Sequence, residues 1–207
     1  MSDPMYWRGW LKNKGRYFSD LVWAYKAGVS ILNKYEKINT GKPKCVVFDI
    51  DDTLVFGDPA GALGLKDMKF MNAELALGVD SLATKEEAGE DIFFLPKNEP
   101  IVKLLEYAKS KGFVIIILTA RRKDAVTSSI ENLHYFRIPF DIIRFNEGDE
   151  DPCFKLKARR TIAEKYHVCL TVGDQITDVL CPGANTAFIK LPDDVSMFSY
   201  AYIPNGM

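Results

Sequence analysis

The chain has 207 residues, of which 47% are hydrophobic and 27% are charged, and its formal net charge is -1 at pH 7. This composition is typical of a folded globular protein and excludes a mostly disordered, collagen-like or coiled-coil chain. The length predicts one domain with an extension or an insertion, and the near-neutral charge argues against a protein that binds nucleic-acid backbones with its whole surface.

Residues 1–43 are predicted to form an N-terminal helical extension. Aromatic and basic residues are interleaved over 5–18, a mixture that suits docking on a membrane, stacking on nucleic acid or packing on the chain's own domain. A helix is predicted from Ser19 as its N-cap. No apolar run approaches the roughly 20 residues of a transmembrane helix, and no signal-peptide core is visible. We therefore expect an intracellular, cytoplasmic protein.

From residue 44 onwards, short apolar runs alternate with segments of helical periodicity. Strands are predicted over 45–48, 113–118, 140–143, 168–172 and 186–191, and helices over 99–111, 123–135 and 155–166. Strands separated by helices of this length predict a parallel sheet with right-handed crossovers. The expected fold is α/β, a three-layer Rossmann-like sheet, with residues 44–207 as the main domain.

The alternation breaks over 57–95, a stretch too long for a plain loop. It contains a candidate helix over 66–77 and an acidic run from Glu86 to Asp91. We interpret the stretch as a small cap inserted after the first strand, where it would lie over the ends of the parallel strands and select the substrate. The alternative is an insertion packed on the edge of the sheet.

Polar clusters follow three of the predicted strands: Asp49–Thr53, Thr119–Arg121 and Gly173–Asp178. Open parallel sheets bind ligands at the carboxyl ends of their strands, so the three clusters should converge. Convergence would crowd several carboxylates together, which is unfavourable unless a cation compensates them. Mg²⁺ prefers oxygen ligands and would suit such a site. We favour this interpretation over the alternative, in which the aspartates only cap helices.

These residue types fit phosphoryl transfer. An aspartate can attack phosphorus and form an aspartyl-phosphate, and a second carboxylate can then move the protons. Asp49 and Asp51, two residues apart, would share a face of the chain. Thr119 and Lys155 offer a hydroxyl and a cation for the phosphoryl oxygens.

The pattern resembles the haloacid dehalogenase superfamily of phosphohydrolases, whose four motifs match Asp49-x-Asp51-x-Thr53, Thr119, Lys155 and Gly173-Asp174-x-x-x-Asp178. Further matches at Arg121, Asn132-Leu133, Arg159, Gln175 and 188–192 are similar to the class B acid phosphatase branch, which includes plant acid phosphatases and vegetative storage proteins. The resemblance covers roughly residues 44–195, and Asp52 stands where that family often has Glu.

The resemblance implies a role for each matching residue. It makes Asp49 the nucleophile and a metal ligand, and Asp51 the general acid/base, with its backbone carbonyl on the metal. Asp174 and Asp178 would complete the metal site, and Gln175 would support it. Thr119 and Lys155 would bind the phosphoryl group. Arg121 would contact the substrate, or instead brace the loop through an ion pair.

The leading hypothesis is a Mg²⁺-dependent phosphatase of small phosphate monoesters, with nucleotides among the candidate substrates. A phosphatase acting on nucleic-acid 3′ ends is an alternative, because the basic stretch 155–160 and the aromatic and basic N-terminus could bind a polynucleotide. A non-catalytic binding or storage protein on the same fold is a second alternative. The presence of Asp49 favours an enzyme over that reading.

Overall fold

The computed structural model describes residues 14–55, 84–87, 90–93, 97–147, 153–180, 186–192 and 200–204. Over 14–18, 84–87 and 90–93 only the backbone is described. None of the helices in these ranges combines the length and the hydrophobicity needed to span a bilayer.

The described strands form one six-stranded sheet and one separate hairpin. In chain order they are β1 (Lys44–Phe48), β2 (Thr84–Glu87), β3 (Glu90–Phe93), β4 (Val114–Arg122), β5 (Ile142–Asn146), β6 (His167–Gly173), β7 (Ala187–Lys190) and β8 (Tyr200–Tyr202). The large sheet has the order β5-β4-β1-β6-β7-β8, and β2 pairs with β3 alone. Strands β5, β4, β1, β6 and β7 are parallel, whereas β8 runs antiparallel to β7.

The helices cover both faces of this sheet. They are α1 (Lys14–Glu36), α2 (Glu99–Ser110), α3 (Val126–Tyr135, entered through a 3₁₀ turn), α4 (Phe154–Lys165) and α5 (Ile176–Val179). Alternate strand residues enter different cores, as the two-residue period of a strand requires. Val46 and Phe48 pack with residues of α1, α2 and α3, whereas Cys45 and Val47 pack with Ile162 of α4. The result is three layers with the sheet in the middle.

Helix α1 is part of the main core. Leu21, Leu32 and Tyr35 are fully buried in it. Gly28 allows close contact with α2, because a Cβ placed there would lie 2.4 Å from a methyl carbon of Leu104. Helix α1 therefore packs directly against α2, in the helical layer on one face of the sheet.

The structure confirms the α/β prediction and the five parallel strands. The N-cap prediction at Ser19 is wrong, because α1 begins at Lys14 and Ser19 lies inside it; the basic residues of 14–18 are good helix formers and extend the helix. Strand β4 continues through Thr119–Arg121, which the sequence placed after the strand. The hairpin β2–β3 and strand β8 were not predicted, since charged residues and three-residue strands give little local strand signal.

Two predictions about domain organisation stay predictions. They are the division at residue 43 and the cap over 57–95, of which only the β2–β3 backbone is described. The candidate helix over 66–77 lies outside the described residues.

Candidate active site

Three acidic side chains meet at the carboxyl ends of β1 and β6. Asp49 directly follows β1, and its backbone N–H donates to the carbonyl of Val172 in β6 at 3.1 Å. Asp174 directly follows β6, and Asp178 lies one helical turn further on. One carboxylate oxygen from each of the three lies within 4.8 Å of the others, and all three residues are buried. The adjacency of β1 and β6 therefore brings together residues far apart in sequence.

The turn after β6 is shaped to aim two of these acids inward. A Cβ at Gly173 would lie 2.2 Å from the Cβ of Asp178, so only glycine leaves room for that side chain. Gln175 is the N-cap of α5, and its backbone N–H donates to Asp178 Oδ2 at 2.9 Å. The side-chain amide of Gln175 donates to Asp174 Oδ2 at 2.7 Å. Gln175 thus contacts both acids, and the support of a metal site that the family resemblance implies for it stays a prediction.

Helix α4 fixes the same turn from the other side. Arg159 is buried, and its Nη2 donates to the carbonyl oxygens of Thr177 at 2.8 Å and Leu180 at 2.7 Å. Because Lys155 lies four residues earlier, the two cations share one face of α4. From one face of this helix, Arg159 therefore bonds to the turn and Lys155 reaches the acidic cluster.

The Lys155 ammonium lies between two of the acids. It donates to Asp49 Oδ1 at 2.8 Å and also to Asp178 Oδ1. Burial disfavours the charged form, but the carboxylates of Asp49 and Asp178 outweigh it and raise the pKa of Lys155 above its ordinary value. Lys155 is therefore positively charged at neutral pH.

The three clustered carboxylates carry more negative charge than Lys155 can balance. Burial, and next the charge of Asp178, raise the pKa of Asp49 to about 7 although Lys155 acts in the opposite direction. Burial and the neighbouring charges of Asp49 and Asp178 also raise the pKa of Asp174 well above its ordinary value. The Lys155 ammonium is bonded to two of the three carboxylates, which outnumber its single charge. Clustered carboxylate oxygens with excess negative charge fit a hard divalent cation.

Asp51 forms a second group with Arg121 of β4. The guanidinium binds side-on: Nε lies 2.9 Å from Asp51 Oδ2 and 3.2 Å from Oδ1, and Nη2 lies 2.6 Å from Oδ1. Its Nη1 donates to Ser129 Oγ at 2.8 Å. Thr119 is fully buried, and its hydroxyl accepts the backbone N–H of Arg121 at 3.1 Å.

The turn between Asp49 and Leu54 connects the two groups. Asp52 has a φ of +53°, a left-handed conformation that Asp tolerates better than most residues. The next residue, Thr53, is buried and donates its hydroxyl to Asp174 Oδ1 at 3.4 Å. The first motif therefore contacts the turn after β6 through Thr53 and reaches β4 through Asp51.

Comparison with known proteins identifies the family. The chain matches the model of the HAD superfamily, subfamily IIIB (Acid phosphatase), over residues 14–198. The chain belongs to this family. A class B acid phosphatase of Edwardsiella ictaluri is 25% identical over 170 residues, which are 73% of this chain and 62% of that protein. The chain thus spans less than two thirds of the length of this relative.

Two solved acid phosphatase structures share the fold. The class C acid phosphatase from Bacillus anthracis superimposes with a TM-score of 0.60 at 22% identity, covering 82% of this chain and 67% of that one. A structure of the same phosphatase with tungstate bound gives a TM-score of 0.58 at 21% identity, with 82% and 67% covered. The predicted membership of the haloacid dehalogenase superfamily, in its acid phosphatase branch, is confirmed.

The structure divides the site residues predicted from the sequence between two groups. The first group contains Asp49, Asp174, Asp178 and Lys155, and the second contains Asp51, Arg121 and Thr119. The carboxylate of Asp51 faces Arg121 and is not among the three clustered acids. Arg121 forms the bracing ion pair that was the alternative to substrate contact, and the roles in catalysis stay predictions.

Three residues outside the predicted site take part in it. Arg159 and Thr53 belong to the family motifs, and the four-residue spacing of Arg159 from Lys155 was a usable signal. Ser129 carried no sequence signal, because it lies in an ordinary amphipathic helix. Lys155 and Arg159 are buried, so these two basic side chains are not exposed for the polynucleotide binding that the nucleic-acid alternative requires.

Proposed function

We propose that the protein is a Mg²⁺-dependent phosphatase that hydrolyses small phosphate monoesters, nucleotides among them, through an aspartyl-phosphate. The observation that carries the proposal is the buried group of Asp49, Asp174 and Asp178 around Lys155, next to the Asp51–Arg121 pair. This group provides a nucleophile, an oxygen-rich cation site and a fixed positive charge at the ligand-binding edge of a parallel sheet.

In the first step, the Asp49 carboxylate attacks phosphorus. An Oδ–P bond forms while the bond from phosphorus to the leaving oxygen breaks, and Asp51 gives its proton to that oxygen. Attack requires Asp49 to be ionised. Burial raises the pKa of Asp49 to about 7, so positive charge added beside it would favour the carboxylate form that attacks.

In the second step, Asp51, now a carboxylate, takes a proton from water as the water oxygen attacks the phosphorus of the aspartyl-phosphate. Inorganic phosphate leaves and Asp49 is regenerated. Through both steps the Lys155 ammonium and the Thr119 hydroxyl hold the phosphoryl oxygens, since phosphoryl transfer depends mainly on positioning and electrostatic stabilisation.

Asp49, Asp174 and Asp178 would hold the Mg²⁺ ion, together with the backbone carbonyl of Asp51 that the family resemblance implies. When bound, the ion supplies the positive charge that the cluster lacks and neutralises the charge of the phosphoryl oxygens. The small size of Mg²⁺ and its octahedral preference suit a few carboxylates plus substrate oxygen and water.

The test compares Asp49→Asn with wild type on p-nitrophenyl phosphate and on a panel of nucleoside monophosphates and sugar phosphates. We expect wild type to turn over with Mg²⁺, to stop in excess chelator and to recover on adding Mg²⁺ but not Ca²⁺. Asp49→Asn should lose at least about 1000-fold in kcat, because an amide is a poor nucleophile. The matched control is Asp124→Asn, which should keep full activity. Asp124 is an exposed aspartate in the 3₁₀ turn directly after β4.

Acid quenching of the wild-type reaction should trap phosphate on the protein, and the trapped phosphate should be missing from Asp49→Asn. Activity of Asp49→Asn above about a tenth of wild type would overturn the nucleophile assignment. Full activity in excess chelator would overturn the metal requirement. Failure of wild type on the whole panel would favour the non-catalytic alternative.

A further inference from the structure

Ser129 connects helix α3 to the Asp51–Arg121 pair. It is fully buried, and its hydroxyl accepts a hydrogen bond from Arg121 Nη1 at 2.8 Å. The opposite side of the same guanidinium, through Nε and Nη2, binds the carboxylate of Asp51. The planar guanidinium is therefore held between a buried helix residue and a carboxylate in the crevice.

The anchor matters because the pair itself is partly open to solvent. The side chain of Asp51 is 44% exposed and that of Arg121 is 17% exposed. Ion pairs of long side chains near solvent are weak and sample several geometries. A hydrogen bond to a buried hydroxyl on a packed helix restricts the rotation of the guanidinium, and the backbone contact of Arg121 with Thr119 restricts its base.

The orientation also distinguishes the two oxygens of Asp51. Oδ1 has two contacts with the guanidinium, at 2.6 and 3.2 Å, whereas Oδ2 has one, at 2.9 Å. A fixed guanidinium thus determines the direction in which the Asp51 carboxylate points.

We propose that Ser129 is a positioning residue for proton transfer by Asp51, acting through Arg121. The inference rests on the proposed phosphatase function. In the first step the proton on Asp51 passes to the leaving oxygen as the bond to phosphorus breaks, so misorientation of Asp51 slows substrates whose leaving group needs that proton. A phenolate with a low pKa leaves without it.

The experiment measures kcat/KM, which covers the steps up to aspartyl-phosphate formation, for an alkyl phosphate and for p-nitrophenyl phosphate. For Ser129→Ala we expect about a 10-fold loss on the alkyl phosphate and less than about a 2-fold loss on the aryl phosphate. The matched control is Ser128→Ala, the same change at the preceding, exposed residue, whose hydroxyl donates to the carbonyl of Ala125 at 3.2 Å. It should match wild type on both substrates.

Arg121→Lys tests whether Ser129 acts through Arg121. A lysine keeps the charge but cannot bind Asp51 side-on and Ser129 together. It should show the same selective loss, and adding Ser129→Ala to it should change the alkyl-to-aryl ratio no further. Thermal melting of every variant reports folding. If Ser129→Ala does not fold, Arg121→Lys alone must show the selective loss for the proposal to stand.

Three results would overturn the proposal: equal loss on both substrates, behaviour like Ser128→Ala, or a further change of the ratio in the Arg121→Lys background. In each case a wild-type enzyme that cleaves both substrates keeps the phosphatase function intact. A wild type that cleaves neither substrate refutes the phosphatase function instead, and the role of Ser129 falls with it.

Discussion

Replacing Lys155 by methionine removes the ammonium that lies between Asp49 and Asp178. The change leaves two buried carboxylates without their cation. It creates little empty space, because methionine has a similar length. Breaking a buried ion pair from one side costs about 3–5 kcal/mol. In a chain of this size that loss lowers Tm by roughly 6–20 °C.

The loss should depend on pH in a defined direction. Lys155 lowers the pKa of Asp49, so its removal moves that pKa further above the ordinary value. For a carboxyl whose pKa is raised by folding, the cost to stability grows as the pH rises above the unfolded-state pKa and is complete only above the folded-state pKa. Near pH 5 Asp49 is protonated in both proteins, whereas at higher pH it ionises next to Lys155 in wild type and stays protonated in the variant. The deficit of Lys155→Met relative to wild type should therefore be larger near pH 8 than near pH 5.

The assay is thermal melting in excess chelator at about pH 5 and about pH 8, with wild type and Lys157→Met as comparisons. Lys157 lies on the exposed face of the same helix, and its substitution should cost no more than about 0.5 kcal/mol at either pH. Equal melting temperatures for the two methionine variants, or a deficit that does not change with pH, would refute the electrostatic reasoning.

Two further changes test the architecture around the site. Gly173→Ala should destabilise the protein by about 1–3 kcal/mol and weaken Mg²⁺ binding, because the added methyl meets Asp178 at 2.2 Å; a normal Tm with a normal Mg²⁺-induced rise in Tm would contradict the tight fit. Desolvation acts to raise the pKa of Asp141, but hydrogen bonds from Lys109 and the Ile115 N–H lower the pKa below the ordinary value. Because the group is solvent-exposed, Asp141→Asn should cost no more than about 1 kcal/mol in urea unfolding at neutral pH, and this deficit should shrink as the pH falls below about 4; a deficit that does not shrink on acidification would count against it.

The meeting of Asp49 and Asp174 at one edge of the sheet could be predicted from the sequence because their positions follow from topology. Asp49 and Asp174 come directly after apolar strands, and parallel strands end at one edge of the sheet. The fold class followed in the same way from alternating strands and helices. Hairpin β2–β3 and strand β8 did not, because their pairing depends on distant contacts and not on local propensity.

The partners of individual side chains were beyond the sequence. Lys155 was expected to face the phosphoryl group, and nothing in its neighbours indicated that it also lies between two carboxylates. Side-chain rotamers determine whether Arg121 binds the substrate or Asp51. They also determine that the Arg121 guanidinium contacts Ser129. Rotamers are set by packing of α3 against β4, which a motif does not encode.

The central position of β1 has a consequence for folding. This strand pairs with β4 on one side and β6 on the other, and neither is its neighbour in sequence. The resulting contacts join Asp49 with Lys155, 106 residues away, and Thr53 with Asp174, 121 residues away. Closing such long loops is an entropic cost that is met before the contacts form, and it slows assembly. The crevice is thus completed only when the middle strand has joined both neighbours. In a refolding experiment, regain of cation binding would report the closure of the central sheet, whereas helix signals that arise from local segments would report earlier events.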